Sequence, residues 1–519
     1  MNQAERASTG GNAVERFVMV PAERDPDRVL YVDAVSGRAW TRAEVADGVR
    51  RAAAVLAARG VQPEQRVALV LADTPVFPFF FWGAMWLGAV AVPISTMLTA
   101  DDYRFLLDDS RAVALVVSEP FLPTAGAAAV GHPHLRFVLV DGPAGTSAGE
   151  PVDRALAGAG TAPAAFAASG DDVAFWLYTS GTTGFPKGAR HRHVDLGFCT
   201  DTYARGVLDM GPDDRVYSVA KLFFAYGLGN AGYFPADTGG CAILNPLRPA
   251  PEQVAEHVRT YEPTLFFGVP TFYAALLNAD LPRDTFRTVR LAVSAGEPLP
   301  AEIHRRFGER FGVEILDGIG STEILHIFIS NRPGGSVPGT SGRPVAGYEV
   351  ELRGADGEAV PPGEPGNLWV AGESVTVGYW NRTAQNRNVL HGRFIATGDQ
   401  YRVDDDGNYV YLGRGDDMLK VGGMWVSPAE VEACIVEMPE VAQAAVVGAD
   451  AGDGLVKPRA FVVATADADR AALPEKVQAH VREHLAHYKY PRWVEVVDEL
   501  PTTATGKVKR YLLRQLPLP

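Results

Sequence analysis

Tyr178-Thr179-Ser180-Gly181-Thr182-Thr183-Gly184-Phe185-Pro186-Lys187-Gly188 decides how the rest of this chain is read. Hydroxyl side chains alternate with glycines, and a lysine closes the run. Gly181 and Gly184 let backbone N–H groups approach an anion, the hydroxyls add donors, and Lys187 adds charge. The run is a phosphate cradle. It lacks the Walker spacing, because a proline precedes the lysine and no Ser or Thr follows it. A polar surface turn is the plain alternative, but Val173-Ala174-Phe175-Trp176-Leu177 reads as a buried strand. The loop therefore leaves a strand's carboxyl end, where open α/β sheets bind ligands.

Working outward, 519 residues suggest about two to four domains or subdomains. Hydrophobic residues make up 47% and charged residues 21%, as in a globular protein, and the net charge of -14 speaks against nucleic acid or an anionic membrane as partner. Cys199, Cys241 and Cys434 lack metal spacing and point to a reducing, cytoplasmic setting without disulfides. No secretory signal pattern is visible. The uncharged stretch from Val76 to Ile94 is broken by Pro78, Gly88 and Pro93, which favours a buried helix followed by a buried strand over a membrane span.

Residues 1–27 read as a tail. Val29–Val32 and Arg38–Thr41 suggest a hairpin, and Thr41-Arg42-Ala43-Glu44 opens a helix with a capping box. Apolar runs at 67–71, 113–117 and 137–140 continue a β–α alternation that predicts a parallel sheet. Gly142–Gly170, rich in Ala, Gly, Pro and Ser, reads as a mobile connection. A second α/β unit follows, with strands at 216–219, 241–244, 265–268 and 291–294. The expected fold is α/β: a large N-terminal domain, 1–413, of two doubly wound α/β subdomains with a small β-barrel or sheet over 341–413. A small mobile α+β C-terminal domain, 414–519, completes it.

Further motifs carry chemistry. Asp317-Gly318-Ile319-Gly320-Ser321-Thr322-Glu323 follows a strand, its glycines permit close approach, and Glu323 offers a hard oxygen ligand suited to Mg2+. Asp399 can accept both hydroxyls of a ribose, and Arg414 can donate to ribose or phosphate. Near the C-terminus, Thr505-Gly506-Lys507 places a cation on a glycine-punctuated loop.

These motifs, in this order, resemble the adenylate-forming superfamily of acyl- and aryl-CoA ligases, luciferases and peptide-synthetase adenylation domains. The resemblance covers roughly residues 30–515. It implies that Thr179, Ser180, Gly181, Thr182, Thr183, Gly184 and Lys187 hold phosphates, with Glu323 and Thr183 serving the metal. It further implies that Gly296, Glu297, Asp317, Gly318, Ile319, Ser321, Thr322, Asp399 and Arg414 bind the nucleotide. Ile319 stands where relatives usually carry an aromatic residue. Asp416 is implied as the hinge, and Lys507 as the catalytic lysine of adenylate formation. Lys420, Gly422, Gly423 and Trp425 would serve a second, CoA-dependent step.

The runs 220–230, 318–328 and 420–428 resemble the benzoate–CoA ligase group. Phe224, Ala225, Tyr226 and Gly227, with Gly320, His326 and Ile327, would frame a slot for a flat ring, the Tyr226 hydroxyl facing it. The expected substrates are a small aromatic carboxylic acid, ATP and CoA, with Mg2+ as cofactor. A carrier protein, nitrite or an amine is the alternative acceptor, a non-catalytic nucleotide-binding protein is the rival reading of the chain as a whole, and a homodimer is an option. Arg190 and Arg192 depart from the apolar or small residues usual beside the cradle, and the sequence offers no account of them.

Overall fold

The computed structural model describes residues 11–142, 149–179, 186–415, 417–421, 424–450, 456–502 and 508–518. Among them, seven strands form one sheet in the order Glu150–Pro151, Phe137–Asp141, Ala114–Ser118, Arg66–Val70, Val90–Pro93, Val173–Thr179, Lys187–Arg192. Val173–Thr179 and Lys187–Arg192 pair antiparallel as a hairpin. The other pairings are parallel. The central strands Arg66–Val70, Val90–Pro93 and Ala114–Ser118 are almost wholly buried and apolar, as a sheet covered on both faces requires. Helix Val76–Trp86 and strand Val90–Pro93 account for the uncharged stretch, and no helix among the described residues is long and apolar enough to cross a membrane.

A nine-stranded sheet is built from Val29–Asp33, Ala39–Thr41 and the strands between Arg215 and Pro344. The expected hairpin forms, and Thr41 and Glu44 close the capping box. Val29–Asp33, however, pairs in parallel with Cys241–Leu244, so the hairpin edges the second sheet rather than the first. In each sheet the chain order reverses beside one strand, Arg66–Val70 in the first and Arg215–Ser218 in the second. Crevices open at the carboxyl ends of such switch points. Here the two are joined: Asp73, just past the first, accepts the Leu222 amide at 3.1 Å and lies 3.9 Å from the Lys221 ammonium, just past the second. Burial pushes the Asp73 carboxyl up to about 6, against the pull of Lys221 and that amide.

The small β unit over 341–413 is a five-stranded antiparallel sheet of half-barrel form that includes Glu349–Arg353, Gly366–Ala371, Phe394–Val403 and Tyr409–Arg414. Beyond it, Val441–Asp450 and Val456–Ala464 pair antiparallel, Trp493–Val497 joins in parallel, and helices Pro428–Val436 and Leu473–His484 pack alongside. Two hydrophobic clusters there draw only on residues from Leu419 to Leu513.

Two expectations are corrected. Residues 11–24 are not a tail: Glu15–Met19 and Val20–Arg24 are helical, Val14 and Phe17 are buried, and Phe17 stacks on Trp82 with ring centroids 5.5 Å apart. The interspersed charges hid an apolar stripe of Val14, Phe17 and Val18 at helical spacing. Arg16 reaches Asp201 and Asp237 at 2.8 and 2.7 Å. The described part of the 142–170 connection is also built in. It holds strand Glu150–Pro151 and helix Val152–Ala157, and Trp86 donates to the Pro163 carbonyl at 2.9 Å.

Phe17→Ala removes the stacked ring from a packed interior and is expected to cost about 3–5 kcal/mol. Urea unfolding followed by tryptophan fluorescence checks this, and a change below about 1 kcal/mol would return residues 11–24 to the status of an appendage.

Candidate active site

The phosphate hairpin is anchored at both ends. Thr179 pairs with Lys187 across it. Ser180, Gly181, Thr182, Thr183 and Gly184 lie outside the described residues. Tyr178 donates its hydroxyl to Asp109 at 2.8 Å, so it is spent on scaffold rather than offered to the cradle. Asp109 also takes Arg382 at 2.6 Å, and its carbonyl takes the Trp380 indole at 3.0 Å. The Lys187 ammonium lies 4.7 Å from the centre of the Tyr379 ring, and the Tyr379 hydroxyl donates to Glu323 Oε1 at 2.7 Å. Tyr379 thus meets the lysine at its ring and the carboxylate at its hydroxyl.

Glu323 sits on the loop between Ile315–Gly320 and Ile327–Ser330, which pair antiparallel. Buried Leu325, with φ of 75°, holds a left-handed backbone that a branched side chain resists. His191, from the hairpin strand, reaches the Thr322 carbonyl through Nε2 at 2.8 Å and Asp195 through Nδ1 at 3.1 Å. Asp317 accepts the Leu299 amide at 3.3 Å, tying the segment that follows Gly296 and Glu297 to the strand's end. Its carboxyl is pushed up to about 8 by burial, which the amide only partly offsets. Ile319 is half-buried against the core, and Ser321 and Thr322 are also half-buried.

The aromatic residues expected to frame a ring converge. Phe224 and Ala225 are half-buried. The His326 ring lies 5.7 Å from Tyr226, 5.1 Å from Tyr203 and 4.5 Å from Phe234, with Nε2 3.1 Å from Asn230 Oδ1. Burial lowers His326 to about 3, so the imidazole is neutral at physiological pH. Ile327, fully buried, opens the returning strand, and Gly320 opposes it. At Gly227 an added Cβ would stand 2.1 Å from the Lys221 carbonyl oxygen, which only glycine tolerates. One expectation is corrected: the Tyr226 hydroxyl donates to the Val293 carbonyl at 3.0 Å, so its proton is held by the main chain.

Asp399 and Arg414 face each other on paired strands, with Arg414 Nη1 3.2 Å from the carboxylate and 2.8 Å from the Thr397 carbonyl. Gly398, at φ of 79°, leaves room for the guanidinium, which an added Cβ would meet at 2.7 Å. Lys420, exposed, pairs with Trp425 in the register of the hairpin Leu419–Val421/Met424–Val426, of which Leu419, Val421 and Val426 join the C-terminal core. Asp416, Gly422, Gly423 and Lys507 lie outside the described residues.

Arg190 and Arg192 acquire a role. Arg190 donates to the Gly378 and Val377 carbonyls at 3.0 and 3.1 Å. Arg192 pairs with Asp171 at 2.8 Å and with Asp195 and Glu373 at 3.0 Å. Together they clamp the phosphate hairpin to the 373–378 segment leading to Tyr379. Sequence reasoning missed Tyr379, His191 and Asp73. Tyr379 had only a glycine-flanked aromatic as its signal, and His191 was screened by the arginines on either side. A cavity of about 500 Å³ bordered by Arg28, Asp214, Arg215 and Cys241 lies at the amino ends of strands Arg215–Ser218 and Cys241–Leu244, opposite this crevice.

Paired α/β sheets with facing switch points, a half-barrel and a separate α+β unit define an adenylate-forming enzyme. Residues 19–380 match the AMP-binding enzyme family and residues 430–507 the AMP-binding enzyme C-terminal domain; the chain belongs to this family. It is 44% identical to the 4-hydroxybenzoate–CoA/benzoate–CoA ligase of Rhodopseudomonas palustris, over 96% of this chain and 92% of that protein. It is 45% identical to the benzoate–CoA ligase of Thauera aromatica, over 94% and 92%. The solved benzoate CoA ligase from Burkholderia xenovorans LB400 superposes with a TM-score of 0.91 at 43% identity, covering 97% of this chain and all of that one.

Asp317 makes the site's stability depend on pH. Its folded pKa, about 8, lies above the ordinary 3.8, so the folded chain holds a proton that the unfolded chain releases between those values. This contribution to stability therefore falls as pH rises from about 4 to 8. Asp317→Asn, which cannot ionise, should lose less stability than the wild type between pH 6 and pH 8.5 in urea unfolding. Parallel losses would show that the carboxyl is already ionised at pH 6.

Proposed function

We propose that this chain is an AMP-forming aryl-CoA ligase, activating benzoate or a substituted benzoate with ATP and passing the aryl group to CoA. The carboxylate oxygen attacks the α-phosphorus, the bond to the β-phosphate's bridging oxygen breaks, and pyrophosphate leaves with its electron pair. The thiolate of CoA then attacks the carbonyl of the mixed anhydride and AMP leaves. The observation that carries the reading is the contact chain Lys187–Tyr379–Glu323, with Glu323 three residues before His326, whose ring meets Tyr226. The similarity to benzoate–CoA ligases over nearly the whole chain supports the substrate class.

In this reading Thr179, Ser180, Gly181, Thr182, Thr183, Gly184 and Lys187 grip the polyphosphate. Asp399 fixes the ribose, with Arg414 holding that carboxylate in place. Gly296, Glu297, Asp317, Gly318, Ile319, Ser321 and Thr322 surround the base and sugar. Glu323 and Thr183 offer the hard oxygens that Mg2+ takes, and the ion, when bound, supplies charge neutralisation on the phosphates. Neutral His326 closes the slot without adding a cation to compete for the carboxylate. Lys507 meets the carboxylate and α-phosphate, relieving like-charge repulsion. Residues 414–519 pivot about Asp416 between the two steps and exchange Lys507 for Lys420, Gly422, Gly423 and Trp425. The free cysteines Cys199, Cys241 and Cys434 accord with a cytoplasmic setting.

Lys507→Ala is expected to lower aryl-adenylate formation by roughly 100- to 1,000-fold while leaving thioester formation from supplied aryl-adenylate within a few-fold of wild type. Equal loss in both half-reactions would reject the division of labour. Pyrophosphate release across benzoate, hydroxy-, amino- and halobenzoates and short fatty acids should single out the aryl acids. Mass spectrometry of the product with CoA, carrier protein, nitrite or amine identifies the acceptor, and a product lacking CoA would overturn the second step.

A further inference from the structure

We propose that the C-terminal unit carries a divalent-metal site of zinc type, built from Cys434, Glu437 and His480. Cys434 and Glu437 stand three residues apart at the end of helix Pro428–Val436 and so share a face. His480 and His484 stand four apart on helix Leu473–His484, their rings 4.1 Å apart between centroids. The helices meet where His480 Nε2 lies 3.1 Å from the Cys434 carbonyl and 3.8 Å from Glu437 Oε2. One ligand atom from each of Cys434, Glu437 and His480 lies within 4.8 Å of the others.

Zinc takes sulfur, imidazole nitrogen and carboxylate oxygen at about 2.0–2.3 Å, which sets the donors of a tetrahedron roughly 3.3–3.8 Å apart. Small side-chain rotations close that difference, and Glu437, half-exposed, is free to make one. Water supplies the fourth donor, since His484 Nδ1 is taken by the His480 carbonyl at 2.8 Å. The sulfur selects against Mg2+, which prefers all-oxygen shells. Cys434 is buried, and burial, with Glu437 and Glu430 nearby, raises its thiol to about 11. As the metal–sulfur bond forms the S–H bond breaks, and the proton leaves to solvent.

The competing account is that His480 merely caps the last carbonyls of the first helix. A cap predicts no response to metal. The site is distinct from the Glu323 region and does not rest on the proposed reaction. Its position adds a consequence, because Ser427, which begins the cysteine-bearing helix, donates to the Leu412 carbonyl in the strand that ends at Arg414. The metal would fasten the far end of that helix, about two turns from Ser427, to its neighbour.

The test uses the full-length enzyme, stripped with chelator and titrated with Co2+ and then Zn2+ in excess Mg2+. One Co2+ per chain is expected, with a thiolate-to-cobalt charge-transfer band that Zn2+ abolishes. Zn2+ should also raise the melting midpoint. Cys434→Ser should remove the band. Glu437→Gln should weaken Zn2+ binding at least tenfold while its chelator-treated melting midpoint matches wild type. Should Cys434→Ser fail to fold, Glu437→Gln with His480→Gln decides the matter. Absence of the band in wild type, or Zn2+ affinity unchanged in both of these variants, overturns the proposal.

Discussion

Asp195 has no side-chain surface exposed to solvent, yet it accepts the Arg192 amide at 3.0 Å and pairs with both His191 and Arg192. A carboxylate stripped of water must be met by donors, and both its oxygens are. That requirement fixes the geometry around it. His191 is turned onto the Thr322 carbonyl, and Arg192 is turned onto Glu373. The phosphate hairpin, the Glu323 loop and the approach to Tyr379 are thereby referred to one point. It adds to the direct ties between these segments, the Tyr379 hydroxyl on Glu323 and Arg190 on the Gly378 and Val377 carbonyls.

The facing switch points extend the same logic. Each sheet alone would open a crevice at its own carboxyl edge. The Asp73 bridge to Lys221 and Leu222 holds the two switch points together. In a chain of net charge -14, Lys187 lies over a ring face and Arg414 beside the Asp399 carboxylate, so both cations are positioned by near neighbours.

Much of this was legible in the chain. The strands leading to the cradle, the alternation that builds both sheets, the capping box at Thr41 and the break between 86 and 90 follow from periodicity and punctuation. The local patterns are strong there because each element buries a continuous apolar face. What escaped was long-range pairing. Periodicity finds strand Val29–Asp33 but not its partner, and it finds Tyr226 but not the Val293 carbonyl that takes its proton. Tyr379, far along the chain from Lys187, becomes part of the site only through the half-barrel's attachment. The N-terminal helices were misread for a different reason, since Glu15 and Arg16 gave a short amphipathic segment the look of a solvated leader.

The pairing of Val29–Asp33 with Cys241–Leu244 bears on biogenesis. Chains emerge from the ribosome amino end first, and an early strand whose neighbour is synthesised much later must wait with unsatisfied hydrogen-bonding edges. High sequence separation of this kind slows closure of a sheet. The earliest-made hairpin can thus take its place in the sheet only after Cys241–Leu244 has been synthesised.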